Sequence, residues 1–164
     1  MIRAIYAGSF DPITNGHVWV INEAIKLFEN LKIVVARNPN KKYMFSWDER
    51  ANMLNDSIIG EETFETFSMD QIRDELLINY AKERSVTHLI RGIRNESDYE
   101  YEKAMQYVNS DIDSKITTVY LIPPRELCEV SSSLVKGLTQ SKGWEDVVKK
   151  YVPNPVLEKL KERE

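Results

Sequence analysis

The sequence predicts an α/β fold, in which one doubly wound parallel sheet of about five strands is covered by helices and followed by C-terminal helices. Three observations predict it. Short apolar or β-branched runs alternate about five times with residues spaced three or four apart, the pattern of strands joined by crossover helices. The first and fourth runs stop at glycine, Gly8 and Gly92, and the fifth at Pro123-Pro124, as strands do where they meet a turn. No repeat, low-complexity tract or linker interrupts the 164 residues, so 1–164 reads as a single domain. Right-handed crossovers then place helices on both faces of the sheet.

Taken in order, residues 2–7 are the first strand, ending at Gly8. Val18, Ile21, Ala24, Ile25 and Phe28 mark one face of the helix after it. Leu31–Ala36 is β-branched and reads as the second strand; Asn38-Pro39-Asn40-Lys41-Lys42 is then a loop. Ser46-Trp47-Asp48-Glu49 has the form of a capping box opening a helix. A third strand is expected at Thr63–Phe67, followed by a second box-like start at Ser68-Met69-Asp70-Gln71. Ile72, Leu76, Leu77 and Tyr80 would be the buried face of that helix. Val86–Ile90 forms the fourth strand. Ser97-Asp98-Tyr99-Glu100 opens a helix with Tyr101, Ala104, Met105 and Val108 inward, and Ile116–Ile122 is the last strand. Ser131-Ser132-Ser133 starts a short helix, and 144–151 and 156–162 supply the C-terminal ones.

The composition, 42% hydrophobic and 29% charged, fills a core and argues against disorder. No run approaches the roughly 20 apolar residues of a membrane span. Neither a signal-peptide pattern nor a disulfide is expected, since Cys128 is the only cysteine, and a cytoplasmic location follows. A net charge of −4 leaves no broad footprint for nucleic acid, but local basic residues still suit a small polyanion.

In an open parallel sheet, ligands bind beyond the C-terminal strand ends, near the switch point. The segments there are 8–17, 38–42, 91–94 and 123–133. In the first, Gly8 permits close approach to the backbone, Ser9 offers a hydroxyl, and Gly16-His17 lies at a helix N-terminus that favours phosphate. The loop matches neither GxxxxGK[ST] nor GxGxxG.

Ala7-Gly8-Ser9-Phe10-Asp11-Pro12-Ile13-Thr14-Asn15-Gly16-His17 resembles the T/HxGH signature of the nucleotidylyltransferase superfamily, in its phosphopantetheine adenylyltransferase form. Asn40–Phe45, Leu89–Arg94, Asp98–Glu102 and Val130–Lys136 match the same family in order. The resemblance implies a Rossmann-like nucleotidylyltransferase fold. It also implies transfer of the adenylyl group of ATP to 4′-phosphopantetheine, giving dephospho-CoA and pyrophosphate. His17 would steady the α-phosphate; Ser9, Lys41 and Arg91 would orient the acceptor phosphate. Gly8, Phe10, Gly92, Arg94, Asp98, Glu102, Val130, Ser131, Ser132 and Ser133 would surround the nucleotide, and Leu76, Leu77, Tyr101 and Asn109 the pantetheine arm. Mg²⁺ with the polyphosphate, coenzyme A as an inhibitor and a homohexamer complete what the family implies.

Plainer readings stand beside these. Asp98 and Glu102 also suit the positive end of a helix, Leu76, Leu77, Tyr101 and Met105 also suit a core, and His88 and Cys128 read as structural. A sister transferase using nicotinamide mononucleotide as acceptor or CTP as donor is the nearest alternative, and a noncatalytic nucleotide sensor the main one from another class.

Overall fold

The computed structural model describes residues 2–37, 41–58, 67–72 and 75–163. Its sheet comprises β1 (Ala4–Gly8), β2 (Leu31–Ala36), β3 (Phe67–Ile72), β4 (His88–Gly92) and β5 (Thr117–Leu121). The order is β3-β2-β1-β4-β5, with all four pairings parallel. The chain runs outward to β3 and then returns to the far side of β1, so the switch point lies between β1 and β4. Ala4 pairs with Leu31 on one side and His88 on the other, which brings the ends at Gly8 and Gly92 to the same edge.

The helices are α1 (Asn15–Leu27), α2 (Trp47–Ile58), α3 (Leu77–Glu83), α4 (Glu96–Ile112), α5 (Ser132–Leu138), α6 (Glu145–Val148) and α7 (Asn154–Lys161). Strand alternation divides the core between the two faces. Ala4, Tyr6, Ile33 and Ile90 pack with α1, α2 and the C-terminal helices, whereas Ile5, Ala7, Val34 and Leu89 pack with Ile78, Tyr80 and Ala81 of α3. The capping box at α2 forms as expected: the Ser46 amide donates to Glu49 Oε2 at 2.8 Å and the Glu49 amide to Ser46 Oγ at 3.2 Å. Ser131 caps α5 by accepting from the Leu134 amide at 3.1 Å.

Two expectations are corrected. Ser68–Gln71 does not open a helix; it is part of β3, in register from Leu31↔Phe67 to Ala36↔Ile72. The expected strand residues 63–66, like the loop residues Asn38, Pro39 and Asn40, lie outside the described residues. A capping pattern fits here because β3 is an edge strand and tolerates polar side chains. Asp70 accepts from the Tyr80 hydroxyl rather than from a helix amide, with Lys32 Nζ 3.7 Å away. The helix therefore begins only at Leu77; Ile72 stays buried on the strand, and Leu76 is 54% exposed.

The second correction concerns the inner face of α4. Tyr101 and Val108 are 60% and 49% exposed and Ala104 is exposed too, leaving only Met105 of the expected face half-buried. The row toward the sheet is instead Asp98, Glu102, Met105, Gln106, Asn109 and Ile112. Apolar spacing misplaces the face because the polar residues find partners inside. Glu102 meets Arg91, and Gln106 Oε1 accepts from the Tyr120 hydroxyl at 2.8 Å.

Candidate active site

Beyond the ends of β1 and β4 lies a cleft of about 830 Å³. It brings together Gly8, Ser9, Phe10, His17, Lys41, Arg91, Gly92, Arg94, Asp98, Tyr101, Glu102, Val130, Ser131, Ser132 and Ser133, residues spread over more than 120 positions of the chain. A neighbouring pocket of about 280 Å³ holds Leu76, Leu77 and Asn109, and shares Arg91, Tyr101 and Glu102 with the cleft. Every residue expected at the site from the sequence lines one or both.

The β1–α1 loop is folded around a packed ring. Phe10 is 1% exposed and adopts a φ of +48°, a left-handed conformation that costs a non-glycine residue about 1–3 kcal/mol. That backbone turns its ring edge-on to Tyr6 and to His17, with centroids 5.6 and 5.2 Å away. Gly8 makes room for it, since a Cβ there would stand 2.9 Å from Phe10 Cζ. Glycine at this position thus accommodates a ring of the protein itself, in addition to any ligand.

His17 sits at the third position of α1, where a capping-box glutamate often stands. Its Nδ1 accepts from the Thr14 amide at 3.0 Å. A backbone N–H can only donate, so Nδ1 carries no proton and Nε2–H is the donor offered to the cleft. Burial lowers the His17 pKa to about 4, and the charges of Arg94 and Lys41 push it the same way. The ring is therefore neutral at physiological pH and already oriented.

The two arginines are held by the two carboxylates on α4. Arg91 Nε donates to Glu102 Oε1 at 2.8 Å, Nη2 makes a second bond to that oxygen, and Nη1 donates to the Ala7 carbonyl at 2.9 Å. Burial works against this charge, but Glu102 holds the Arg91 pKa above the ordinary arginine value. Arg94 forks onto Asp98 at 2.8 and 3.0 Å and also donates to the Val130 carbonyl at 3.2 Å. Burial opposes the Asp98 charge as well, and the Arg94 bonds overcome it, holding the carboxyl below its usual range. Asp98 and Glu102 thus serve first to aim cations. Gly92 lets α1 approach β4 between them; a Cβ there would lie 3.2 Å from Val20 Cγ2.

Three residues that bind this site together escaped the sequence reading. Arg50 is 4% exposed and donates to the Ser9 carbonyl at 2.6 Å. It stacks on Tyr43 at 4.3 Å, and burial lowers its pKa. Its signal was present: Arg50 falls among Ala51, Met53 and Leu54 on the buried side of α2. Asp11 and Lys136 lie within the matched motifs but were given no role, and they are 2.9 Å apart at the cleft wall. Ser132 adds a further tie, its hydroxyl donating to the Pro12 carbonyl at 2.7 Å. His88 is structural, its ring tilted against Phe28 at 5.3 Å. The Cys128 thiol lies 3.6 Å from the Pro124 carbonyl.

A neutral, oriented histidine among lysine and arginine side chains at the switch point defines the class, a nucleotidyl-transfer domain. Residues 5–138 match the model of the cytidylyltransferase-like family. A phosphopantetheine adenylyltransferase of Chromobacterium violaceum is 49% identical over 160 residues, covering 98% of this chain and 96% of that protein. One from Neisseria meningitidis is 44% identical over 158 residues, covering 96% and 91%. The chain belongs to the cytidylyltransferase-like family and, within it, to the phosphopantetheine adenylyltransferases. The fold is shared with nicotinic acid mononucleotide adenylyltransferase of Plasmodium falciparum, at a TM-score of 0.73 and 18% identity, covering 98% of this chain and 94% of that one.

Proposed function

We propose that this protein transfers the adenylyl group of ATP to 4′-phosphopantetheine, releasing pyrophosphate and dephospho-CoA. An oxygen of the acceptor phosphate attacks the α-phosphorus, and the bond from that phosphorus to the bridging oxygen of the β-phosphate breaks. The attacking oxygen is already anionic, so the reaction needs positioning and charge stabilisation more than a strong base. The observation that carries the reading is His17, whose Nδ1 is fixed by the Thr14 amide so that Nε2–H donates to the cleft. A donor of this kind strengthens its bond as charge grows on the α-phosphate oxygens.

In this reading Lys41, Ser9 and Arg91 hold the acceptor phosphate. Arg94, Ser131, Ser132 and Ser133 hold the nucleotide phosphates, with Gly8, Phe10, Gly92 and Val130 around the nucleoside. The pantetheine arm enters the smaller pocket along Leu76, Leu77, Tyr101 and Asn109. Mg²⁺ arrives with ATP as part of the substrate. Among the described residues no three His, Cys, Asp or Glu side chains converge as a cage, and Asp98 and Glu102 are turned to arginines, so no step is assigned to protein-held metal.

A homohexamer is part of the proposal, supported by Tyr99, Tyr107 and Val108 exposed along α4 and by the exposed Ile122 after β5. Inhibition by coenzyme A and a cytoplasmic location also belong to it. Among the described residues no helix is long and apolar enough to cross a membrane.

The test is pyrophosphate release from Mg·ATP with 4′-phosphopantetheine, beside nicotinamide mononucleotide and acceptor-free controls. Release only with phosphopantetheine, with dephospho-CoA formed, is expected. Release only with the mononucleotide would move the chain to the sister activity, and none at all from ATP-binding protein would make it a sensor.

A further inference from the structure

Asp11 is a carboxylate that the mechanism leaves without a task, although it lines the cleft and is 2% exposed. A buried carboxylate needs strong partners to remain folded in, and Asp11 has them on two separate elements. Oδ1 and Oδ2 accept from the Met44 amide at 3.1 and 2.9 Å, and Oδ1 accepts from the Phe45 amide at 2.9 Å. Lys136 Nζ of α5 lies 2.9 Å from Oδ2. The oxygens are thus engaged by the protein, which argues against Asp11 as a base or as a ligand to substrate. What they grip is informative. Met44 is three residues beyond Lys41, which is exposed in irregular backbone on the cleft wall. Two of the three amides between Lys42 and Ser46 are therefore tied to the β1 loop through one side chain.

We infer that Asp11 is a positioning residue for Lys41: by clamping the Met44 and Phe45 amides, it holds the Lys41 segment against the Ser9 loop, where the acceptor phosphate binds. The inference rests on the proposed acceptor role of Lys41. Asp11→Asn keeps an acceptor for the Phe45 amide and the longer Met44 bond but turns an NH₂ toward Lys136 and the shorter Met44 bond, opposing donor to donor. Loss of one charge-assisted clamp should raise the acceptor KM about tenfold while the ATP KM moves less than about threefold.

The deciding measurement is a double-mutant cycle of Asp11→Asn with Lys41→Ala, reading both KM values and kcat in the full-length protein, with thermal melting as a control for folding. If Asp11 acts through Lys41, its substitution adds little to the acceptor KM once Lys41 is gone. Additive effects, or an equal rise in the ATP KM, would overturn the inference and leave Asp11 with general structural support. An unchanged acceptor KM in Lys41→Ala alone would instead overturn the acceptor reading of Lys41. Should Asp11→Asn not fold, Asp11→Glu carries the same cycle, since it keeps the charge and displaces the clamp by one methylene.

Discussion

In the larger cleft, Arg91, Arg94 and His17 are already aimed by bonds within the protein. Arg91 and Arg94 are each fixed by a carboxylate and a backbone carbonyl, and His17 by the Thr14 amide. In the smaller pocket, Leu76 is more than half exposed and Tyr101 more so, and among the described residues neither side chain is held by a hydrogen bond. The contrast follows from what each region would bind. Stabilising charge in a transition state requires donors that do not reorganise; holding an extended, flexible arm requires only apolar surface of about the right shape. Substitution of the donor to the α-phosphate in the first region should therefore lower kcat, and substitutions in the second should mainly raise the acceptor KM.

The largest effect is expected for His17→Ala. It removes the donor to the α-phosphate and leaves the Thr14 amide without its acceptor, so kcat should fall by roughly 10²-fold or more. ATP binding, measured by titration calorimetry, should survive. A loss confined to ATP affinity would place His17 in ground-state binding instead.

Arg91 tests the border between the two regions, because it lines both. Arg91→Ala should raise the acceptor KM by about 10-fold or more and leave Glu102 without its cation, costing on the order of 1–3 kcal/mol of stability. Glu102→Gln keeps the shape but weakens the aim of Arg91, so the acceptor KM should rise less, by a few-fold. If Glu102→Gln matches Arg91→Ala, Glu102 touches substrate itself.

The pH dependence of stability isolates the orientation of His17. Its folded pKa is about 4, while an unfolded histidine titrates near 6.5. Between these values the unfolded chain binds the proton and the folded chain does not. The contribution of His17 to stability is thus complete above about pH 6.5 and is lost as the pH falls toward 4. His17→Gln lacks this dependence, so the wild-type Tm should drop relative to the variant between pH 7 and 5, by the equivalent of about 1–2 kcal/mol. Parallel curves would mean that His17 is solvated and unoriented.

The legibility of each region in the sequence follows the same division. The residues proposed to bind phosphate lie in short, contiguous runs at strand ends or a helix start, 8–17, 91–94 and 130–133. Strand–loop–helix periodicity fixes those places, and the resemblance names their chemistry. The capping box at Ser46 and Glu49 and the strands β1, β2, β4 and β5 were legible for the same local reason. The smaller pocket is assembled from residues of all five strands with α3 and α4, and there local pattern misleads. Ser68–Gln71 looks like a helix start but pairs as a strand. Apolar Tyr101 and Val108 look buried, yet Glu102 and Gln106 take the inward row because Arg91 and Tyr120 lie across from them. Spacing could place Arg50 on the buried side of α2, but the main-chain groups that Arg50 and Asp11 tie to the site, Ser9 and Met44, lie more than thirty residues away, which no spacing rule encodes.

Leu76→Ser gives the smallest effect and the sharpest view of the second region. Leu76 is exposed and precedes the first turn of α3, whose own core contacts come from Ile78, Tyr80 and Ala81. Its removal should cost no more than about 0.5 kcal/mol of stability, so the fold and the charged cleft remain as they are. What it takes away is one apolar wall of the pocket, worth about 1 kcal/mol to an apolar arm lying against it. The acceptor KM should therefore rise roughly three- to tenfold with kcat and ATP KM unchanged, the response of a residue that binds ground state and transition state alike. A fall in kcat of the same size would mean that the arm's seat helps place the acceptor phosphate for attack. In that case the apolar pocket and the charged cleft act as one device, and the separation between binding and catalysis fails at Leu76.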